Sequence, residues 1–196
     1  MSFLNQIQKL LGEKQTSIKI NSLHFKDYNS PKKPMRFCEA AVSSLHSPLI
    51  IRKDDIDCLG AQRSFGFYRN DIKLATQISE ESNIPLRFIF DALNEIPIIN
   101  NPVKNIILGS TEKPDVTIAF VKPDKITQLI LLYAAYFEEK PLITPYFFMS
   151  ICGNIAVQTY KTNKICISFG CPESRKFGEV LEDEVIVGIP NSLLNY

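Results

Sequence analysis

The sequence predicts a mixed α/β protein of the α+β kind: two pseudo-repeated strand-helix-strand units with a helical insertion between them. Three observations carry this reading. Short apolar stretches of strand character alternate with stretches of helical periodicity. One pattern occurs twice: Ala40-Ala41, Pro48-Leu49-Ile50 and Cys58 return as Ala134-Ala135, Pro141-Leu142-Ile143 and Cys152, at offsets of 94, 93 and 94 residues. Ile18-Lys19-Ile20 precedes the first copy as Val116-Thr117-Ile118 precedes the second. Finally, the stretch between the copies reads as helix and has no counterpart in the second half. The 196 residues are therefore read as one domain, 1–196, with halves at about 16–68 and 114–190 and an insert at about 69–96.

Taken in order, residues 2–12 place Phe3, Leu4, Ile7, Leu10 and Leu11 at helical spacing, with Gly12 to end the helix. Residues 16–20 alternate as a strand does. Asn29, Ser30, Pro31 and Pro34 make the stretch 28–34 a loop. Phe37 to Leu45 is a helix closed by Pro48, and Leu49-Ile50-Ile51 is a short strand. Cys58 to Phe67 reads as a helical turn or a glycine-kinked loop. Residues 69–80 and 85–95 are two helices, the second opened by Pro85 in its first turn. Ile96 to Leu108, with Pro97 and Pro102, is extended.

Val116 to Val121 is the plainest strand, apolar almost throughout and so expected to be buried on both faces. A helix over about 125–138 follows, apolar around most of its circumference and therefore expected to be buried. Leu142-Ile143 is a second short strand, and Tyr146 to Val157 a second apolar helix. Lys164 to Phe169 alternates Ile165, Ile167 and Phe169 against Cys166 and Ser168. Glu184 to Ile189 is the last strand, closed by Pro190.

Composition bounds the function. An apolar share of 45% with 22% charged residues is ordinary for a globular chain of a size that needs neither disulfide nor metal merely to fold. A net charge of +1, with only Lys32-Lys33 and Arg36 as a basic group, argues against a nucleic-acid partner. Polar Asn5, Gln6, Gln8 and Lys9 break up any leader segment. The apolar run from Leu129 to Phe137 is about half the ~20 residues that span a bilayer. Five irregularly spaced cysteines suit a reducing compartment, so a cytoplasmic location is expected, with no membrane partner and with self-association left open.

Four stretches resemble one known family. They are Phe37-Cys38-Glu39-Ala40; Asp57-Cys58-Leu59-Gly60-Ala61 with Phe65-Gly66-Phe67; Pro114-Asp115-Val116; and Phe169-Gly170-Cys171, through Arg175 and Glu182-Asp183-Glu184, to Val187-Gly188-Ile189-Pro190. The chain resembles, from about Ile18 to Pro190, the domain of unknown function 169, found in methanogenic archaea and anaerobic bacteria. It departs from the family pattern at Leu59 and at Pro172-Glu173. The resemblance implies a class and no activity.

The residues that suggest chemistry cluster around the repeats. Cys38, Cys58, Cys152 and Cys171 sit at or near repeated positions, and thiolates suit iron–sulfur clusters or zinc. No Cys-x-x-Cys pair occurs, and buried free cysteine is a common plain alternative. Cys58 with Arg63, and Cys171 with Arg175, set a guanidinium near a thiol, which favours thiolate and binds anions. The intervening four and three residues are too few for a phosphatase loop. Gly60 beside Cys58 would let backbone approach a ligand. No phosphate loop is present. Only His24 and His46 exist, so a serine-histidine triad has little support. Glu179, Glu182, Asp183 and Glu184 read as a solvated turn.

Three functions follow. The first is an intracellular binding protein holding a small anionic ligand or a metal or iron–sulfur centre between its halves, with Cys58, Gly60, Arg63, Cys171 and Arg175 as ligand contacts and Cys38, Cys58, Cys152 and Cys171 as metal ligands. The second is a thiol-dependent enzyme using Cys58 or Cys171. The third is an interaction or scaffold protein with structural cysteines.

Overall fold

The computed structural model describes residues 3–23, 28–109 and 113–194; Ser2 of the first expected helix and His24 lie outside them. Seven strands form one mixed sheet: β1 (Gln15–Ile20), β2 (Leu49–Ile51), β3 (Ile106–Leu108), β4 (Val116–Val121), β5 (Leu142–Thr144), β6 (Cys166–Ser168) and β7 (Val185–Pro190). Their order is β2-β3-β1-β4-β7-β6-β5. All neighbours are antiparallel except β5 and β6. The mixed α/β class thus holds.

The sheet does not bear out the expected duplication. Three strands stand on the β1 side of the centre and four on the β4 side, and β2 joins an antiparallel neighbour where β5 joins a parallel one.

The helices sort onto two faces. On one lie α1 (Phe3–Leu11), α6 (Pro123–Phe137) and α9 (Asn191–Leu194), over Ala119, Val121, Ile167, Val187 and Ile189. On the other lie α2 (Phe37–Ser43), α3 (Leu59–Ser64), α4 (Asp71–Ser82), α5 (Leu86–Glu95) and an eight-residue π-helix, Ser150–Val157, over Ile18, Ile118, Phe120, Cys166 and Ile186. The π-helix continues into α7 (Gln158–Thr162), and α8 (Pro172–Phe177) packs beside α2. With both faces covered, β4 and β7 are buried at every position, as the apolar run of β4 predicts.

Three elements differ from expectation. Only Leu129 and Tyr133 of α6 are buried, and Leu131 is 65% exposed. Its apolar circumference lies on a helix that covers the sheet from outside. β6, by contrast, keeps the expected alternation, between two core layers: Ile165 and Ile167 enter one, Cys166 the other. The second apolar helix starts four residues late, at Ser150, directly after Met149 in the left-handed conformation (φ 55°), and its first eight residues are a π-helix. Helix α8 falls where no helix was expected; Pro172 at its first turn fixes the backbone angle it needs.

Parallel pairing of β5 with β6 requires a crossover, and the π-helix with α7 is that crossover. It lies against β7 closely. A Cβ on Gly188 would stand 2.3 Å from Thr159 Oγ1 and 2.9 Å from Ile155 Cγ2, so only glycine fits there.

Candidate functional site

Chain segments far apart in sequence enclose a cavity of about 360 Å³ on the side of the sheet that carries α2–α5. That volume lies in the range of small-ligand sites, roughly 300–1,000 Å³. Cys38 comes from α2, Cys58 from the residue preceding α3, Cys152 from the π-helix and Cys171 from the residue preceding α8. All four line this one cavity. Cys166 does not; it lies buried in β6.

Apolar walls come from Phe37, Leu59, Leu74, Ile78, Phe148 and Met149. Close packing of α3 on the π-helix shapes the interior: a Cβ on Gly60 would stand 2.8 Å from Met149 Cγ. Gly60 therefore lines the cavity and also makes room for Met149.

The thiols act on one another. Burial pushes Cys38 up to about 12, and Cys58 and Cys171 push the same way. Burial raises Cys58 too, opposed by the backbone N–H groups of Phe37 and Ala61. Cys152 is raised well above the ordinary range, first by burial and then by Cys58, with Ser64 opposing. These three thiols are held protonated at neutral pH, first because burial disfavours the charged thiolate and, for Cys38 and Cys152, also because neighbouring thiols add to the effect. Mutual influence also means that they lie within Coulombic reach of one another. No three His, Cys, Asp or Glu side chains among the described residues are gathered closely enough to hold a metal ion.

The charged lining is one cation and three carboxylates: Arg36 against Asp57, Glu81 and Glu173. Arg36 is ion-paired with Glu173 and lies 4.4 Å from the centre of the Phe177 ring. Cys38 Sγ approaches the Glu173 carbonyl at 3.6 Å, so α2 and α8 are tied beside the thiols. Cys171 Sγ accepts the Ser174 N–H at 3.4 Å.

The arginines expected at the site are elsewhere. Arg63 is buried and forks onto Asp71, Nε to Oδ1 at 2.9 Å and Nη2 to Oδ2 at 3.1 Å. It also donates to the carbonyls of Leu93 (2.9 Å) and Ile96 (3.2 Å). It thus pins the helical insert to α3 and does not line the cavity. Arg175 donates to the carbonyls of Phe169 and Leu181, again outside the cavity. The acidic turn is partly buried: Glu184 pairs with Lys14 at 2.7 Å, and Asp183 with Lys122.

A family model of the domain of unknown function 169, described as uncharacterised ArCR, matches residues 9–196. The chain belongs to this family. No curated protein and no solved structure matches it. Membership carries no activity with it, so the residues of the cavity have to speak for the family. Sequence reasoning missed Arg36, Glu173 and Ser150 as lining residues. Arg36 stands two positions before Cys38, and Glu173 two after Cys171, a signal that becomes visible only once the cysteines converge. Among the described residues no helix is long and apolar enough to cross a membrane.

Proposed function

We propose that the protein is a binding protein whose four-cysteine cavity holds a metal–sulfur centre, an iron–sulfur cluster in preference to a single zinc ion. The carrying observation is that four of the five cysteines, from four separate segments, line one cavity of about 360 Å³. Two features favour a cluster. A single ion needs its ligands gathered at bonding distance, and no such group of three exists among the described residues. A polynuclear cluster takes one thiolate per iron corner and tolerates a wider spread. A cationic core also relieves the electrostatic problem of the site. Ligation deprotonates thiols and releases their protons to solvent, replacing mutual repulsion by bonds to the metal.

A small anion is the weaker occupant. The lining carries three carboxylates against Arg36, which Glu173 already pairs, and Arg63 and Arg175 are engaged outside the cavity. A thiol-dependent enzyme is the second reading. Its support is the position of Cys171 on the cavity wall, where its Sγ accepts the Ser174 N–H at 3.4 Å. Both readings suit a reducing, cytoplasmic setting.

The test is anaerobic purification and reconstitution with iron and sulfide, followed by metal and sulfide analysis and an absorption spectrum. Equal iron and sulfide with absorption near ~400 nm is expected. Single Cys→Ser changes at positions 38, 58, 152 and 171 should each deplete the iron, and Cys166→Ser should not. Colourless protein free of iron after reconstitution would end the cluster reading. Rapid alkylation of Cys171 alone would then favour the enzyme.

A further inference from the structure

Apart from its thiols, the cavity has a charge pattern of its own. Among the described residues that line it, Arg36 is the one cation, and Glu173 pairs with it. Asp57 and Glu81 are left as carboxylates with no cation beside them in the lining. Asp57 precedes Cys58, and Glu81 lies in the last turn of α4. Both residues are exposed, so they stand at the mouth. Glu81 accepts a hydrogen bond at 2.8 Å from Gln77 Nε2, itself a lining residue. The walls behind are apolar: Leu74, Phe148 and Met149 are buried and Ile78 half-buried. The protonated cysteines add no charge there and act as small apolar groups. One polar group interrupts this wall. Ser150 has no exposed surface, lines the cavity, and has no hydrogen-bond partner for its Oγ among the described residues. A buried hydroxyl left unpaired is costly and therefore uncommon. Ser174, the other lining serine, donates to the Cys171 carbonyl at 2.8 Å.

We propose that the cavity binds a small organic cation: an ammonium group held at the mouth by Asp57 and Glu81, an apolar body along the inner wall, and a second polar group hydrogen-bonded to Ser150. Few polar groups set in an apolar lining is the usual layout of a small-molecule site. The carboxylates fix the sign, because a mouth lined by one charge attracts its opposite and repels its like. A purely apolar molecule would gain nothing from the mouth and would leave Ser150 unpaired. The inference uses no metal and no cysteine as a ligand, so it stands apart from the cluster reading and is tested on the metal-free protein.

The experiment is calorimetric titration with four probes of one skeleton. Tyramine carries an ammonium and a phenol hydroxyl; phenethylamine lacks the hydroxyl; tyrosol has a neutral alcohol, and hydroxyphenylpropanoate a carboxylate, in place of the ammonium. Partly exposed ion pairs are worth a modest factor, so tyramine should bind about fivefold more tightly than tyrosol at low salt, and the gap should shrink at about 0.5 M salt. The carboxylate should bind most weakly. Asp57→Asn combined with Glu81→Gln should melt as the wild type does, since both residues are exposed, and should bring tyramine to the affinity of tyrosol. Ser150→Ala removes an unpaired group, so it should melt at or above the wild type; it should weaken tyramine about threefold and leave phenethylamine unchanged. Tyrosol or the carboxylate matching tyramine would overturn the inference. So would an unchanged tyramine affinity in the double variant, or no binding of tyramine at about 5 mM. An equal effect of Ser150→Ala on both amines would overturn the contact to Ser150. Iron uptake is measured separately: protein that takes no iron yet binds tyramine loses the cluster reading alone, and protein that loads iron yet binds no tyramine when metal-free loses this inference alone.

Discussion

Arg63 is the residue whose role the structure changes most, and its replacement gives a measurable difference between pinning the fold and binding a ligand. The guanidinium side chain is 5% exposed and Asp71 is 37% exposed. Arg63→Met keeps much of the aliphatic volume, removes the fork onto Asp71, and leaves the carbonyls of Leu93 and Ile96 without their donor. Breaking a buried pair typically costs ~3–5 kcal/mol. Asp71 can return to solvent, which puts this case at the lower end, about 3 kcal/mol. For a chain of this size that corresponds to a melting temperature roughly 6–12 °C lower. Urea titration measures the free energy, and hydrogen exchange resolved by segment should show α5 losing most protection, since Leu93 in its last turn and Ile96 just after it carry the two carbonyls. Iron uptake per folded molecule should be unchanged. A variant within about 1 kcal/mol of wild type, or one that folds normally and fails to load iron, would refute the reasoning.

Three further outcomes follow from the same geometry. Gly188→Ala drives a methyl group into Thr159 and Ile155, so it should cost about 1–3 kcal/mol or more and loosen the π-helix, read as lower stability with faster exchange over 150–162. The protein should lose stability in alkali. The Cys38 thiol is raised in the folded state, so the stability it contributes is complete below the ordinary thiol value of 9.0 and is lost as pH rises from there through about 12. Cys38→Ser should flatten that fall in pH-dependent urea midpoints, and an unchanged slope would contradict the assignment. At pH 7.5, Cys38, Cys58 and Cys152 should alkylate far more slowly in native than in unfolded protein, because burial holds them protonated. Mass spectrometry after a short iodoacetamide pulse reads this directly.

The sequence makes the strands and helices legible wherever a period shows. Helix α1 follows from Phe3, Ile7 and Leu11, and β4 from its unbroken apolar run. The cysteines are visible as residue types, but nothing in their spacing reveals that Cys38, Cys58, Cys152 and Cys171 meet at one cavity and Cys166 does not. What fails is anything decided by a distant partner. The polarity of α6 misleads because hydrophobicity reports composition and not which side meets the sheet; Tyr133 is buried and Leu131 is not. Arg63 reads as an anion contact because it follows Cys58, and only the insert's position reveals that Asp71 and two carbonyls claim it. The π-helix is invisible because an apolar run such as Ser150–Val157 reads the same whether its backbone bonds close over four residues or five.

The cavity has no local precursor along the chain. Cys38 and Cys171 stand at opposite ends of the sequence, and the sheet joins their segments through the central β1-β4-β7 pairing. Contacts between remote segments form late, since the loops between them must close first. During synthesis Cys38 and Cys58 emerge long before the segment bearing Cys171, and no Cys-x-x-Cys pair is available to seize a metal in the meantime. Any occupant of the cavity therefore has to enter after folding, because the chain must complete its sheet before the walls that would hold it stand together.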